Sequence, residues 1–216
     1  MRICVLRLEP LGSRAIPTAA TWGPYCMRAT IRQHCLNARR TLSIEARAEK
    51  SNHIARAIWP FLRRDSRIGS YLAMSDEVDL EPLHQQCWSA NIAVMVPQIT
   101  SHTTFAWARY TDPSDLTPGR FGIRTSKQPG VMAWSECDAL IIPMVGFSCD
   151  GSRLGMGGGF YDRGLATLTS RTRLIGVAFD CQETADIDRQ WWDIPIPLII
   201  TETRTLITRA SRYAPR

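Results

Sequence analysis

Long apolar runs are missing from this sequence. No segment approaches the roughly 18 consecutive apolar residues a membrane-spanning helix needs, so no membrane partner is expected. Paired cysteines are missing as well. The seven cysteines (Cys4, Cys26, Cys35, Cys87, Cys137, Cys149 and Cys181) are odd in number and form no C-x-x-C pair. That pattern suggests no zinc site and reads as reduced thiols in a cytoplasmic compartment. The four histidines (His34, His53, His84, His102) are scattered, which argues against a metal cluster. Lysine is absent from 128–216, and with it any G-K-S/T phosphate loop in that part of the chain.

What is present suits one domain with a real core: 216 residues, 44% hydrophobic and 21% charged. The net charge of +6 is unevenly placed. Residues 1–64 carry 12 Lys and Arg against 3 acids, and 65–216 carry 14 against 17. A basic first third suits nucleic acid or a polyanionic small molecule. With no RNP-like aromatic pattern and no zinc-finger spacing, nucleic acid is the disfavoured partner.

Residues 1–26 hold two early prolines, three arginines and one acid, without periodicity. They read as an organellar presequence, a disordered extension, or sequence upstream of a true start at Met27. The last is favoured, because helical pattern begins there, and a domain over 27–216 is expected. A basic helix follows over 28–40. A second starts after Ser43, a suitable N-cap, and runs to about Arg64 with Pro60 kinking or breaking it near its end. Apolar runs at 70–74, 92–97, 139–143, 174–179 and 198–201 read as buried strands. Helix-length stretches at Pro82–Ala90 and Tyr161–Ser170 lie between some of them, and 110–130 reads as loop. The alternation implies an α/β domain with a largely parallel sheet.

One stretch concentrates chemistry: "SRLGMGGGFYDRG", residues 152–164. It follows a strand-like run and precedes a helix, the end of an α/β sheet where ligands bind. Glycines let main-chain N–H groups approach an anion, and a helix N-terminus adds partial positive charge. The dinucleotide pattern G-x-G-x-x-G nevertheless fails at Phe160. The flanks carry more. Arg153 can fork onto phosphate oxygens, and Asp162 suits Mg²⁺, which binds one or two carboxylates plus phosphates. Taken singly, Arg153 could be a surface ion pair and Asp162 a helix cap.

The longer run "DALIIPMVGFSCDGSRLGMGGGFYDRGLA" resembles the signature of the 5-formyltetrahydrofolate cyclo-ligases, or 5,10-methenyltetrahydrofolate synthetases. "YLAMSDEVD" (71–79), "FGI" (121–123) and "IGVAFDCQ" with "ITE" (175–202) are similar to further family blocks in order. The resemblance covers about 28–203 and implies a single three-layer α/β/α domain. It implies an enzyme using ATP and Mg²⁺ to convert 5-formyltetrahydrofolate to the 5,10-methenyl form, through a phosphorylated formyl group. By resemblance, Arg28, Arg32, Arg153, Leu154, Gly155, Met156, Gly157, Gly158, Gly159, Phe160 and Tyr161 would bind ATP. Arg153 and Tyr161 among them would be catalytic, Leu72 and Glu77 would bind the folate, and Asp162 and Asp193 would bind the metal. Trp107 is left open between core and a surface stacked on folate. A monomer is expected.

Four departures from the family pattern stand out: Ser148, Leu80, Pro197, and Thr125-Ser126 where G-I-x-E-P is usual. The nucleotide side is nearly intact and the acceptor side less so. Three readings follow: the cyclo-ligase, a paralogue with another acceptor, or a non-catalytic nucleotide- or nucleic-acid-binding protein.

Overall fold

A computed structural model describes residues 24–168, 171–185 and 187–212. The expected extension therefore lies, up to residue 23, outside the described residues. Helix α1 (Pro24–Arg40) begins three residues before Met27 and buries Ile31, Cys35 and Leu36, a stripe at helical spacing. Helix α2 (Ile44–Ile58) is capped as its sequence predicts: the Ser43 hydroxyl accepts from the Ala46 N–H at 3.1 Å. It stops at Ile58, and Pro60 sits in a single tighter turn, Trp59–Phe61.

Strands β1 (Arg67–Gly69) and β2 (Ala93–Ile99) flank helix α3 (Glu81–Ser89), and β3 (Phe105–Tyr110) follows. A small hairpin, β4 (Leu116–Pro118) with β5 (Arg124–Ser126), occupies part of the stretch read as loop. Next come β6 (Ala139–Pro143), the hairpin β7 (Gly146–Phe147) and β8 (Arg153–Leu154), helix α4 (Phe160–Leu165), β9 (Arg173–Val177), β10 (Leu198–Ile200) and β11 (Thr205–Ile207). Seven strands form one sheet in the order β11-β10-β9-β6-β1-β2-β3. The five inner strands run parallel, and the two edges, β3 and β11, pair antiparallel with their neighbours.

Period-2 alternation divides the core. On β6, Ala139 and Ile141 face Ile54 and Ile58 of α2 and Leu83 of α3, while Leu140 and Ile142 face Trp134 and Leu165. Covering both faces makes this the expected layered α/β fold. A third cluster seats α1 against Val145 and Leu154 beside the β7–β8 hairpin.

Two element expectations need correction. The run 70–74 is no strand; β1 ends at Gly69, whose missing Cβ lets it pass Leu140 and the Trp107 ring. Beyond it the Ser70 N–H still reaches Met95 O (2.8 Å). The chain then swings out, and the Tyr71 hydroxyl closes the loop on Val78 O (2.7 Å). The helix expected over Tyr161–Ser170 is only α4. Thr167 donates both its N–H (3.0 Å) and its hydroxyl (2.7 Å) to Gly164 O, ending the helix early. Trp107 is fully buried between Phe105 and Trp134, so it belongs to the core and cannot stack on a ligand.

Candidate active site

At the carboxyl end of β6 the chain turns through the β7–β8 hairpin into the glycine loop. Left-handed backbone occurs at Gly157 (φ +99°) and Gly159 (φ +65°), where a side chain would be strained. Gly159 also caps the start of α4. Arg32 Nε donates to Gly155 O at 2.8 Å, and Arg163 donates to Gly158 O, so a guanidinium grips each end of the loop. Met156 stands exposed. The Leu154 side chain is fully buried with Ile31 and Val145, and Phe160 packs against the cluster around Phe105; neither presents an open side chain to a ligand.

Arg153 is 6% exposed. Its Nη2 pairs with Asp162 Oδ1 at 2.5 Å, and its buried Nε has no hydrogen-bond partner. A buried N–H without an acceptor is costly, so the site as folded wants another oxygen there. Asp162 contributes one oxygen to this pair and retains Oδ2. Asp193 is more committed: Oδ2 accepts from Arg28 Nη1 (2.7 Å) and from the Gln190 N–H (2.9 Å), and Oδ1 lies 3.4 Å from Arg28 Nη2. It caps a turn. Among the described residues no group of three or more His, Cys, Asp or Glu is arranged around a metal position.

A cleft of ≈ 600 Å³, within the range of small-molecule sites, opens between α2, α3 and the segment after β1. The swung-out segment Tyr71–Ser75 lines it with Leu72 and Glu77, as do Ser51 of α2, Glu81 and His84 of α3, and Tyr110. Glu77 accepts from the Met74 N–H (3.1 Å), and burial raises its carboxyl above the ordinary value against the pull of Arg39. Tyr161, at the end of the glycine loop, is raised first by burial and then by the field of Glu77. The end of the loop and the cleft therefore share one electrostatic environment.

Sequence reasoning missed two features. Arg39, only 2% exposed, pairs with Asp76 (3.0 Å) and lies 3.8 Å from Glu77. Its spacing of seven from Arg32 was the available signal, since residues seven apart share a helix face. The second is a polar cluster at the base of α3. Tyr110 donates its hydroxyl to Glu81 Oε2 (2.8 Å), His84 Nδ1 lies 3.5 Å from that oxygen, and His84 Nε2 meets Ser70 Oγ at 2.8 Å. Burial opposes charge on Glu81, but His84, Tyr110 and the field of Arg124 together hold its carboxyl below the ordinary value.

Residues 26–202 match the 5-formyltetrahydrofolate cyclo-ligase family. The 5-formyltetrahydrofolate cyclo-ligase of Escherichia coli (strain K12) is 33% identical over 173 residues, covering 77% of this chain and 95% of that protein. The Haemophilus influenzae protein of the same name is 32% identical over 139 residues, 62% of this chain and 74% of that one. Among solved structures, Aquifex aeolicus 5,10-methenyltetrahydrofolate synthetase superposes with a TM-score of 0.74 at 26% identity, covering 85% of this chain and 93% of that one. The 5,10-methenyltetrahydrofolate synthetase from Mycoplasma pneumoniae, at 24% identity and a TM-score of 0.68 over 81% and 98% of the two chains, shares the fold.

Proposed function

The chain belongs to the 5-formyltetrahydrofolate cyclo-ligase family, and on that premise we propose that it converts 5-formyltetrahydrofolate to 5,10-methenyltetrahydrofolate at the expense of ATP. One observation carries the nucleotide half: Arg153 holds a buried, unpartnered Nε–H beside a loop with left-handed glycines at Gly157 and Gly159. Such a donor fits a phosphate oxygen. Arg32 and the main chain of Gly155–Gly159 would hold the rest of the polyphosphate, with Arg28 reaching it from one turn away on the same helix. Asp162 would hold Mg²⁺, which would neutralise phosphate charge during transfer. Asp193 would join it only by loosening its grip on Arg28.

The formyl oxygen of the substrate is a poor leaving group, and phosphorylation activates it. The neighbouring folate nitrogen attacks the activated carbon and gives up its proton. The former formyl oxygen then departs with inorganic phosphate as the ring closes, leaving ADP as the other product. The protein's part is positioning and charge neutralisation. Leu72 would pack on the pterin. Glu77, held in place by Met74 and Arg39, would accept from its amino and ring N–H groups.

No helix among the described residues is long and apolar enough to cross a membrane, and Cys35, Cys87, Cys137, Cys149 and Cys181 are free. We read the enzyme as cytoplasmic. The deciding assay is ATP- and Mg²⁺-dependent growth of methenyltetrahydrofolate near-UV absorbance. Folded protein without turnover would favour a paralogue acting on another acceptor.

A further inference from the structure

The cleft is chemically divided. Carboxylates of Glu77, Asp79 and Glu81 line it, and among the described residues its lining guanidinium groups belong to Arg47 and Arg124. These come from different walls. Arg47 sits on α2 in a stripe with Ile44, Ala48 and Ser51, the 3–4 spacing of one helix face turned to the cleft. Arg124 opens β5, in the segment that departs from the family's pattern.

That segment is firmly anchored. The Ser126 hydroxyl donates to Arg109 O (2.6 Å) and accepts from the Gln128 N–H (3.0 Å), and the Thr125 hydroxyl reaches Pro97 O (3.3 Å). Thr125 and Ser126, standing where the family usually places other residues, thus act as pegs that set Arg124 at the cleft. Unlike buried Arg39 and Arg153, neither Arg47 nor Arg124 has a carboxylate within ion-pair distance among the described residues. Arg124 acts on Glu81 and Tyr110 only through its field.

A folate has the matching division. Its pterin end presents N–H donors, and its glutamyl tail ends in carboxylates. We propose that Arg47 and Arg124 form a clamp for the tail carboxylates, and so select folates bearing a charged tail over neutral pterins. The inference rests on the folate reading above, and it gives the altered 124–126 segment a job in substrate choice. Both groups reach water, so each contact is modest and salt-sensitive. Loss of either raises the dissociation constant about two- to fivefold.

The test compares 5-formyltetrahydrofolate with its α,γ-diamide, which keeps the shape of the tail and removes its charge. Calorimetry without ATP reads binding to the full chain and to R47Q, R124Q and the double variant, at low and high salt. The expected result is weaker binding of the diamide by wild type, about four- to twenty-fivefold at low salt if the two contacts multiply. The double variant should bind acid and diamide alike, with wild-type affinity for the diamide. Undiminished preference for the acid in the double variant overturns the clamp, even with turnover intact. A preference that vanishes in the double variant supports it, even if wild type never closes the ring, an outcome that would sink the catalytic reading alone.

Discussion

Removing the Asp162 carboxylate tests how the glycine loop is held. The Arg153 side chain is 5% exposed and that of Asp162 21%, and they pair at 2.5 Å. Deleting one partner of a buried pair costs about 3–5 kcal/mol, because the survivor's charge stays buried. Here Asp162 is about one-fifth open, so water can partly refill its place, and we expect about 2–3 kcal/mol for Asp162→Ala. At about 2–4 °C per kcal/mol for a domain of this size, the melting temperature should fall by about 4–12 °C. Asp162→Asn keeps an acceptor oxygen facing Arg153 and should lose less than half of that.

Nucleotide sharpens the test. In the folded protein Asp162 occupies the guanidinium that a phosphate would want. ATP with a chelator should therefore raise the melting temperature of Asp162→Ala by at least as much as that of wild type. Addition of Mg²⁺ should then strengthen ATP binding in wild type and fail to do so in the variant. Thermal unfolding by intrinsic fluorescence reads all of these states. An unchanged melting temperature without ligand would refute the buried-pair argument. An equal Mg²⁺ effect in both proteins would remove Asp162 as the metal's ligand.

Three further outcomes are expected. Burial raises the Glu77 carboxyl, so the folded state favours its protonated form; that stabilisation is present in acid and is lost as pH rises through the raised value. Glu77→Gln should therefore melt higher than wild type at neutral pH, with the gap closing in acid, while binding of 5-formyltetrahydrofolate weakens; a lower neutral melting temperature would contradict this. At Gly164 an added Cβ would enter the Trp134 indole, and Gly164→Ala should cost about 1–3 kcal/mol in thermal or denaturant unfolding. Arg32→Ala frees Gly155 O and removes a cation beside the loop, so calorimetry should show ATP binding weakened about tenfold, roughly the loss of one charge-assisted hydrogen bond, with folate binding unaffected.

Four of the five inner strands were legible because both faces of the sheet are covered; β1 was not, the run expected at 70–74 lying beyond its end. A run such as "ALIIP" then needs no polar alternate positions, and it falls on β6. Edge strand β3 was not legible. Although four of its six residues are buried, exposed Arg109 breaks the apolar run in "FAWARY". The glycine loop was readable from its composition. Gly164, in the helix that follows, makes room for Trp134, which composition does not reveal. Glu77 could be singled out by resemblance to a family block. Arg39 had only its spacing of seven from Arg32 as a signal, because a charged residue on a basic helix reads as solvated until Asp76 is brought to it across the fold. The Glu81–His84–Tyr110 cluster likewise depends on β3 ending beside α3, which no local pattern encodes.

Arg39 also gives α1 a purpose beyond covering the hairpin. Arg28, Arg32 and Arg39 lie at spacings of four and seven, so they share a face that runs about 16 Å along the axis. At one end Arg28 holds Asp193, in the middle Arg32 holds Gly155 O, and at the other end Arg39 holds Asp76 and Glu77. One rigid helix thus grips the 190–193 turn, the glycine loop and the wall of the cleft. If phosphate draws Arg28 or Arg32 off its present partner, Arg39 would carry any displacement of α1 to Glu77. Arg39 also resists being pulled away, since its buried charge has no other partner among the described residues and its Nε is already unsatisfied. Nucleotide and folate should therefore bind with coupled affinities. Thermodynamic linkage requires each ligand to change the other's dissociation constant by the same factor. Calorimetry of a non-hydrolysable ATP analogue with and without 5-formyltetrahydrofolate would measure that factor. Arg39→Met should bring it to one, and an unchanged factor in that variant would remove α1 as the connecting strut.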